Sequence, residues 1–190
     1  MLEFLTRGTA AGPLTAAETG GAEQQFLRVH LLPDTTAMLP VQQMTGVLTI
    51  PIAQVVPIPQ MPAWVMGVYN WRGEILWMVD LGQLVGLTPL HQQATSRSNY
   101  TAVVINSGGQ ASDQQQTSNQ KTGTRTLGLL VNQIEDMEWC NPDEIQSPPL
   151  SAVTPELVPF LRGYWLKSNG EILVVLDGNS IIAGMPQSTN

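Results

Sequence analysis

The chain is 190 residues long, 43% apolar and only 12% charged, and its 15 acidic against 8 basic side chains give a formal net charge of -7. Arg28, Arg72, Arg97, Lys121, Arg125, Arg162 and Lys167 are scattered, which excludes the clustered basic surface that binds nucleic acid and disfavours anionic membrane surfaces. The single cysteine, Cys140, permits no intramolecular disulfide, and there is neither a leader-like N-terminus nor an apolar run long enough to span a bilayer, so a soluble cytoplasmic protein is expected.

Residues 1–24 are rich in Ala, Thr and Gly, have little to bury, and read as a flexible tail. Residues 25–32 alternate Phe26, Arg28 and His30 against Leu27, Val29 and Leu31, the period of a strand. Pro33-Asp34-Thr35 closes it, and residues 38–41 begin a return strand. Residues 47–58 are apolar but broken by Pro51 and Pro57, which favours short strand pieces or extended loop over a helix. The connector Pro59-Gln60-Met61-Pro62 then feeds Trp64 into the stretch 66–81.

That stretch reads as a β-hairpin. Val68, Tyr69 and Trp71 precede the polar trio Arg72-Gly73-Glu74, and Ile75 to Val79 follow it. Gly73 supplies the positive φ of a tight turn, with Arg72 at or beside the tip. The second arm is apolar on both faces, as a central strand requires. Gly73-Glu74-Ile75-Leu76 with Asp80 recurs as Gly170-Glu171-Ile172-Leu173 with Asp177, at the same spacing and each after a glycine and aromatics. A hairpin built twice implies two similar β-units.

Beyond Leu81, residues 82–87 read as a short helical turn and residues 91–99 as a polar loop. Residues 100–105 are a strand, and 106–125 a low-complexity loop or insertion of Gly, Ser, Gln, Thr and Asn. Residues 126–134 resume as one strand, continued by 135–140 into the next element. A proline-rich connector spans 141–154, where Thr154-Pro155 reads as the cap and first position of a short helix to Leu161. The second hairpin covers 163–177. Asn179 or Ser180 caps a last turn through Ile182, and residues 184–190 read as a frayed end.

Catalytic chemistry finds no footing in these residues. His30 and His91 are the only imidazoles, and neither stands at a recognisable spacing from Cys140. No metal motif and no phosphate-cradling glycine loop occurs, so neither cofactor nor metal is expected. Glu135, Asp136 and Glu138 read as a solvated rim, and Asp80 and Asp177 as turn or cap residues. Trp71 beside Arg72 is open between a core residue and an interface anchor. On residue physics alone, this is an acidic, duplicated, all-β protein without an active site.

The run Pro59-x-x-Pro62-x-x-x-x-Gly67-Val68-x-Asn70-x-Arg72-Gly73-Glu74-Ile75, then Val79-Asp80-Leu81, closely resembles the signature of the CheW family of chemotaxis coupling proteins. Leu39-Pro40-Val41-x-x-Met44, the stretch Leu127 to Asn132 with Ile134, and Gly163 through Asp177 resemble its flanking strands and closing hairpin. The resemblance spans roughly residues 25–183. It implies two interlocked, five-stranded SH3-like barrels with a few short helices, in a domain over 25–183 interrupted by the insertion 107–125. It also implies a non-catalytic adaptor that joins the cytoplasmic tip of chemoreceptors to the regulatory domain of a CheA-type histidine kinase, in the cytoplasm at membrane receptor arrays. Arg72 matches the motif arginine, and Gly67, Asn70, Trp71 and Gly73 belong to the same functional stretch. Val41 and Met44 are placed near a groove between the barrels.

Gly46, Trp71, Asn132 and Gly178 depart from the family pattern, which commonly has an acid, an aliphatic, an Asp and an aliphatic residue there. A sensory array controlling pilus-based motility is therefore an alternative setting to flagellar chemotaxis. Two alternative roles remain beside the adaptor. One is an array-filling protein that binds other CheW-like domains without activating the kinase; the other is a small-ligand-binding barrel using Cys140, His30 or His91.

Overall fold

The computed structural model describes residues 22–93, 97–107, 125–147 and 154–186. Most of the expected N-terminal tail, residues 94–96 of the polar loop, residues 108–124 of the insertion, residues 148–153 of the connector and the last four residues lie outside them.

The described residues form ten strands: β1 (Gln24–Leu31), β2 (Thr35–Pro40), β3 (Met44–Pro51), β4 (Val65–Trp71), β5 (Glu74–Asp80), β6 (Asn99–Asn106), β7 (Thr126–Val131), β8 (Gln133–Cys140), β9 (Leu161–Leu166) and β10 (Ile172–Leu176). They pair into two five-stranded sheets, in the orders β8-β1-β2-β10-β9 and β3-β6-β7-β5-β4. These are the same architecture twice. Each has one parallel pair, β10 with β2 and β5 with β7, among antiparallel neighbours. Strands β3 to β7 correspond in turn to β8, β9, β10, β1 and β2. One sheet is thus continuous in sequence while the other is assembled from both ends of the described chain, which interlocks the two.

The correspondence reaches details that a short sequence echo does not carry. After edge strand β3, Val56 bridges Val68 on the opposite edge strand β4; after β8, Gln146 bridges Tyr164 on β9. Each sheet is thereby drawn round on itself, barrel-fashion. The repeated aspartates do the same work in both copies. Asp80 caps α1 (Leu81–Leu84) by accepting from the Gln83 N–H, and Asp177 caps α2 (Gly178–Ala183) by accepting from the Asn179 N–H. Asp80 is fully buried and also accepts from the Leu90 N–H at 2.7 Å. Burial pushes its carboxyl above the ordinary range, with these N–H groups opposing.

Three clusters explain why the strands are apolar on both faces. Leu27, Val29 and Leu31 of β1 point into a core shared between the sheets, with Val79, Val103, Leu127 and Leu129 from the other sheet. Phe26, on the opposite face of β1, joins Met38, Cys140, Leu173 and Val175 inside its own sheet's curl. Leu76 and Met78 of β5 pack likewise with Ile50, Ala102, Val104 and Leu130. A residue on either face of a central strand therefore leaves water, and a period-2 pattern becomes a continuous apolar run.

Four expectations are corrected. The strand expected over 126–134 is two strands in different sheets, parted at Asn132. That side chain accepts from the Leu32 N–H and donates to Gln93, so it ties the crossing point to both units. The helix expected from Thr154 is a single 3-10 turn, Val158–Phe160; the Thr154 hydroxyl donates to the Val85 carbonyl, and Pro159 lacks the N–H a longer helix needs. The last helix starts from Asp177 rather than from Asn179 or Ser180. Met185, expected in a frayed end, is buried in the shared core.

Candidate functional site

Hairpin β4–β5 presents the sharpest chemistry on the surface. Trp71 pairs with Glu74, which leaves Arg72 and Gly73 as a two-residue turn. Both have positive φ, 55° and 83°, as a type I′ turn requires. Asn70 accepts the Gly73 N–H at 3.0 Å and fastens the turn from within. Arg72 is exposed, and its guanidinium carbon lies over the Trp71 ring, 4.8 Å from the centroid. Trp71 itself is half-buried against the Leu76–Met78 cluster.

The equivalent hairpin, β9–β10, carries its charges differently. Arg28, reaching out from β1, binds Glu138 at 3.0 Å, Glu171 at 2.6 Å and Glu135 at 3.0 Å, and Lys167 joins the cluster through Glu138. Burial works against the Arg28 charge, but the hydrogen bond to Glu138 and the surrounding carboxylates hold its pKa above the ordinary value. Glu138 sits below its ordinary 4.5, chiefly through the hydrogen bond from Lys167. The rim expected at Glu135 and Glu138 is therefore a pinned network, and charges 107 to 143 residues apart meet in it. The only local trace was Arg28 standing in a strand's alternating row. A carboxylate with a depressed pKa stabilises the fold above its unfolded value and loses that contribution as pH falls. The stability gap between the parent and Glu138→Gln should thus be full at pH 7 and close below about pH 4.5, as read from denaturant unfolding at both pH values.

The contrast between the two tips singles out the first. Hairpin β9–β10 is neutralised from within, whereas Arg72 has no ion-pair partner among the described residues.

Beside each hairpin, between its own sheet and the segment that follows the other unit's helix, lies a cleft. Leu31, Ala37, Val85, Leu87, Tyr164 and Val174 line one of about 180 Å³. Ile75, Trp77, Arg125, Leu127, Met185 and Pro186 line the other, of about 220 Å³. They occupy equivalent places: Val174 pairs with Ala37 in the first as Trp77 pairs with Leu127 in the second. The second reaches along β5 to Ile75, two residues past Gly73 of the turn and 72% exposed.

The structure brings Asn70, Trp71, Arg72 and Gly73 together in one turn. Gly67 is different. It is buried in β4 with φ 139°, and a Cβ there would stand 2.2 Å from the Val56 carbonyl oxygen, so its neighbours are the protein's own backbone. Val41 lies in the short turn where the chain crosses between sheets, and Met44 begins β3, the edge strand opposite β4. Both pack half-buried on the shared core, and neither is among the residues lining either cleft. Gly178 makes room for Gln43, whose side-chain oxygen accepts its N–H at 3.0 Å.

Other candidate chemistry is poorly placed. Cys140 is buried inside its sheet's curl, and burial raises its thiol to about 11, far from a reactive thiolate. His30 is half-buried on β1, and His91 is exposed in a turn beyond α1. Among the described residues, no group of three His, Cys, Asp or Glu could hold a metal ion, and no helix is long and apolar enough to cross a membrane.

The CheW-like domain pattern matches residues 25–184. Among solved structures, the scaffolding protein TtCheW from Thermoanaerobacter tengcongensis is similar, with a TM-score of 0.61 over 82% of this chain and 90% of that one. At 17% identity, the likeness is one of fold. No curated protein matches the chain.

Proposed function

The chain belongs to the CheW-like domain family, and on that premise we propose that it is an adaptor joining chemoreceptor cytoplasmic tips to a CheA-type histidine kinase. The single observation that supports this most is Arg72, exposed at a fastened turn, without an ion-pair partner among the described residues. A guanidinium offers several directional donors to carboxylates, and a receptor tip is a helical hairpin that can present them along an exposed face. The role needs no catalytic group. It places the protein in the cytoplasm, at receptor arrays.

The clefts also weigh against the small-ligand alternative. At about 180 and 220 Å³ they are smaller than ordinary ligand sites, which start near ~300 Å³.

The test combines the full chain, the CheA-type kinase of the same organism and clustered receptor cytoplasmic fragments, with co-sedimentation and autophosphorylation measured in the same tubes. The expected result is that kinase recruitment and kinase activation both depend on the added chain. Recruitment without activation would replace the adaptor by the array-filling role. No recruitment with any receptor of the organism would leave the family membership and remove the function.

A further inference from the structure

Most two-residue turns of this kind carry Asn, Asp or Gly where this one carries Arg72. A left-handed φ of 55° costs an ordinary side chain energy that those residues avoid. The arginine is therefore unfavourable for the turn, and what recommends it is what its side chain does. That side chain, though exposed, lies over the Trp71 ring at 4.8 Å and pairs with no acid among the described residues. Trp71 in turn packs with Leu48, Tyr69 and Met66 against the Leu76–Met78 cluster inside the sheet's curl. One side of the indole thus faces the protein interior and a face is covered by the guanidinium, which leaves little of it for a partner.

We propose that Trp71 is a positioning residue: it does not anchor the partner itself but holds Arg72 flat on a rigid aromatic platform, with its N–H edge turned outward for a carboxylate of the partner. Stacking uses the face of a planar guanidinium and leaves its in-plane donors for a bidentate pair. Fixing a flexible side chain in its bound shape before contact lowers the cost of binding. The partner group implied is an Asp or Glu side chain on a surface that can approach the tip of β4–β5. This inference rests on the adaptor reading for its partner, but the platform itself can be measured without one.

The first arm uses the isotopically labelled full chain alone. The Arg72 side-chain proton resonances should be shifted upfield by the Trp71 ring in the parent and in Trp71→Phe, and return to ordinary positions in Trp71→Leu. Ordinary Arg72 positions in the parent would overturn the platform whatever the protein binds. The second arm measures affinity for the same receptor fragments and kinase. Trp71→Leu should weaken binding about two- to five-fold, the size of an exposed cation–π contact, and Trp71→Phe should restore most of it. Parent-like affinity in Trp71→Leu, with Arg72→Glu inactive, would overturn the positioning role and leave the adaptor reading standing. Parent-like affinity in Arg72→Glu would instead remove the adaptor site. Should Trp71→Leu fold poorly, the comparison of Trp71→Phe with the parent in both arms decides: a lost upfield shift together with unchanged affinity overturns the proposal.

Discussion

Arg72→Glu should abolish recruitment of the kinase to receptor fragments while leaving the folded state within about 0.5 kcal/mol of the parent, as surface substitutions do. The side chain is exposed, makes no ion pair among the described residues and contributes only its stack on Trp71. A companion variant separates charge from fold more sharply. Arg72→Asn keeps the left-handed turn with a residue that suits it, so stability should rise by up to about 1 kcal/mol even though the cation is gone. A variant more stable than its parent but unable to recruit the kinase would show that the arginine is kept for its side chain. Denaturant unfolding and co-sedimentation on the same preparations give both readings. Full recruitment by Arg72→Glu would sink the proposed site.

Gly67→Val should fail for the opposite reason. At φ 139° the residue occupies backbone space closed to ordinary side chains, and an added Cβ would stand 2.2 Å from the Val56 oxygen and 2.6 Å from its carbonyl carbon. Both neighbours are main chain, held by the reciprocal Val56–Val68 hydrogen bonds that draw the sheet round on itself. Relieving the clash means breaking that bridge. The expected loss is roughly 3–5 kcal/mol, a large part of the stability of an ordinary domain. Gly163 is the corresponding residue of the other sheet, where a Cβ would meet the Gln146 oxygen at 2.6 Å, and Gly163→Val should also be severely destabilised. Melting curves of both variants test this. A Gly67→Val protein that melts like the parent yet fails to recruit the kinase would return Gly67 to the partner surface.

These two residues stand five positions apart in one motif, and the sequence alone grouped them as one functional stretch. Geometry divides them. Arg72 faces outward from a turn, whereas Gly67 sits where another segment's backbone passes, and nothing within β4 announces that Val56 will be the passer-by.

Much else was legible. Alternation placed β1, because side-chain direction in a strand is a local property, and apolar runs flanking a glycine turn placed the two hairpins. The repeated Gly-Glu-Ile-Leu and its terminal aspartate disclosed the duplication, since like turns and like caps need like residues. The motif around Arg72 marked the hairpin and its tip for the same reason.

What the tertiary structure alone decided is the pairing of distant segments. The break at Asn132 was invisible because both flanking segments are strand-like, and only their assignment to different sheets parts them. The Arg28 network joins β1, β8 and the second hairpin because the first sheet is assembled from both ends of the described chain. The apolar run on β5 said that both its faces are buried, without saying which face meets the shared core. Local residues determine turns, caps and periods through contacts within a few positions; which edges, charges and faces come together is determined by closure of the whole core.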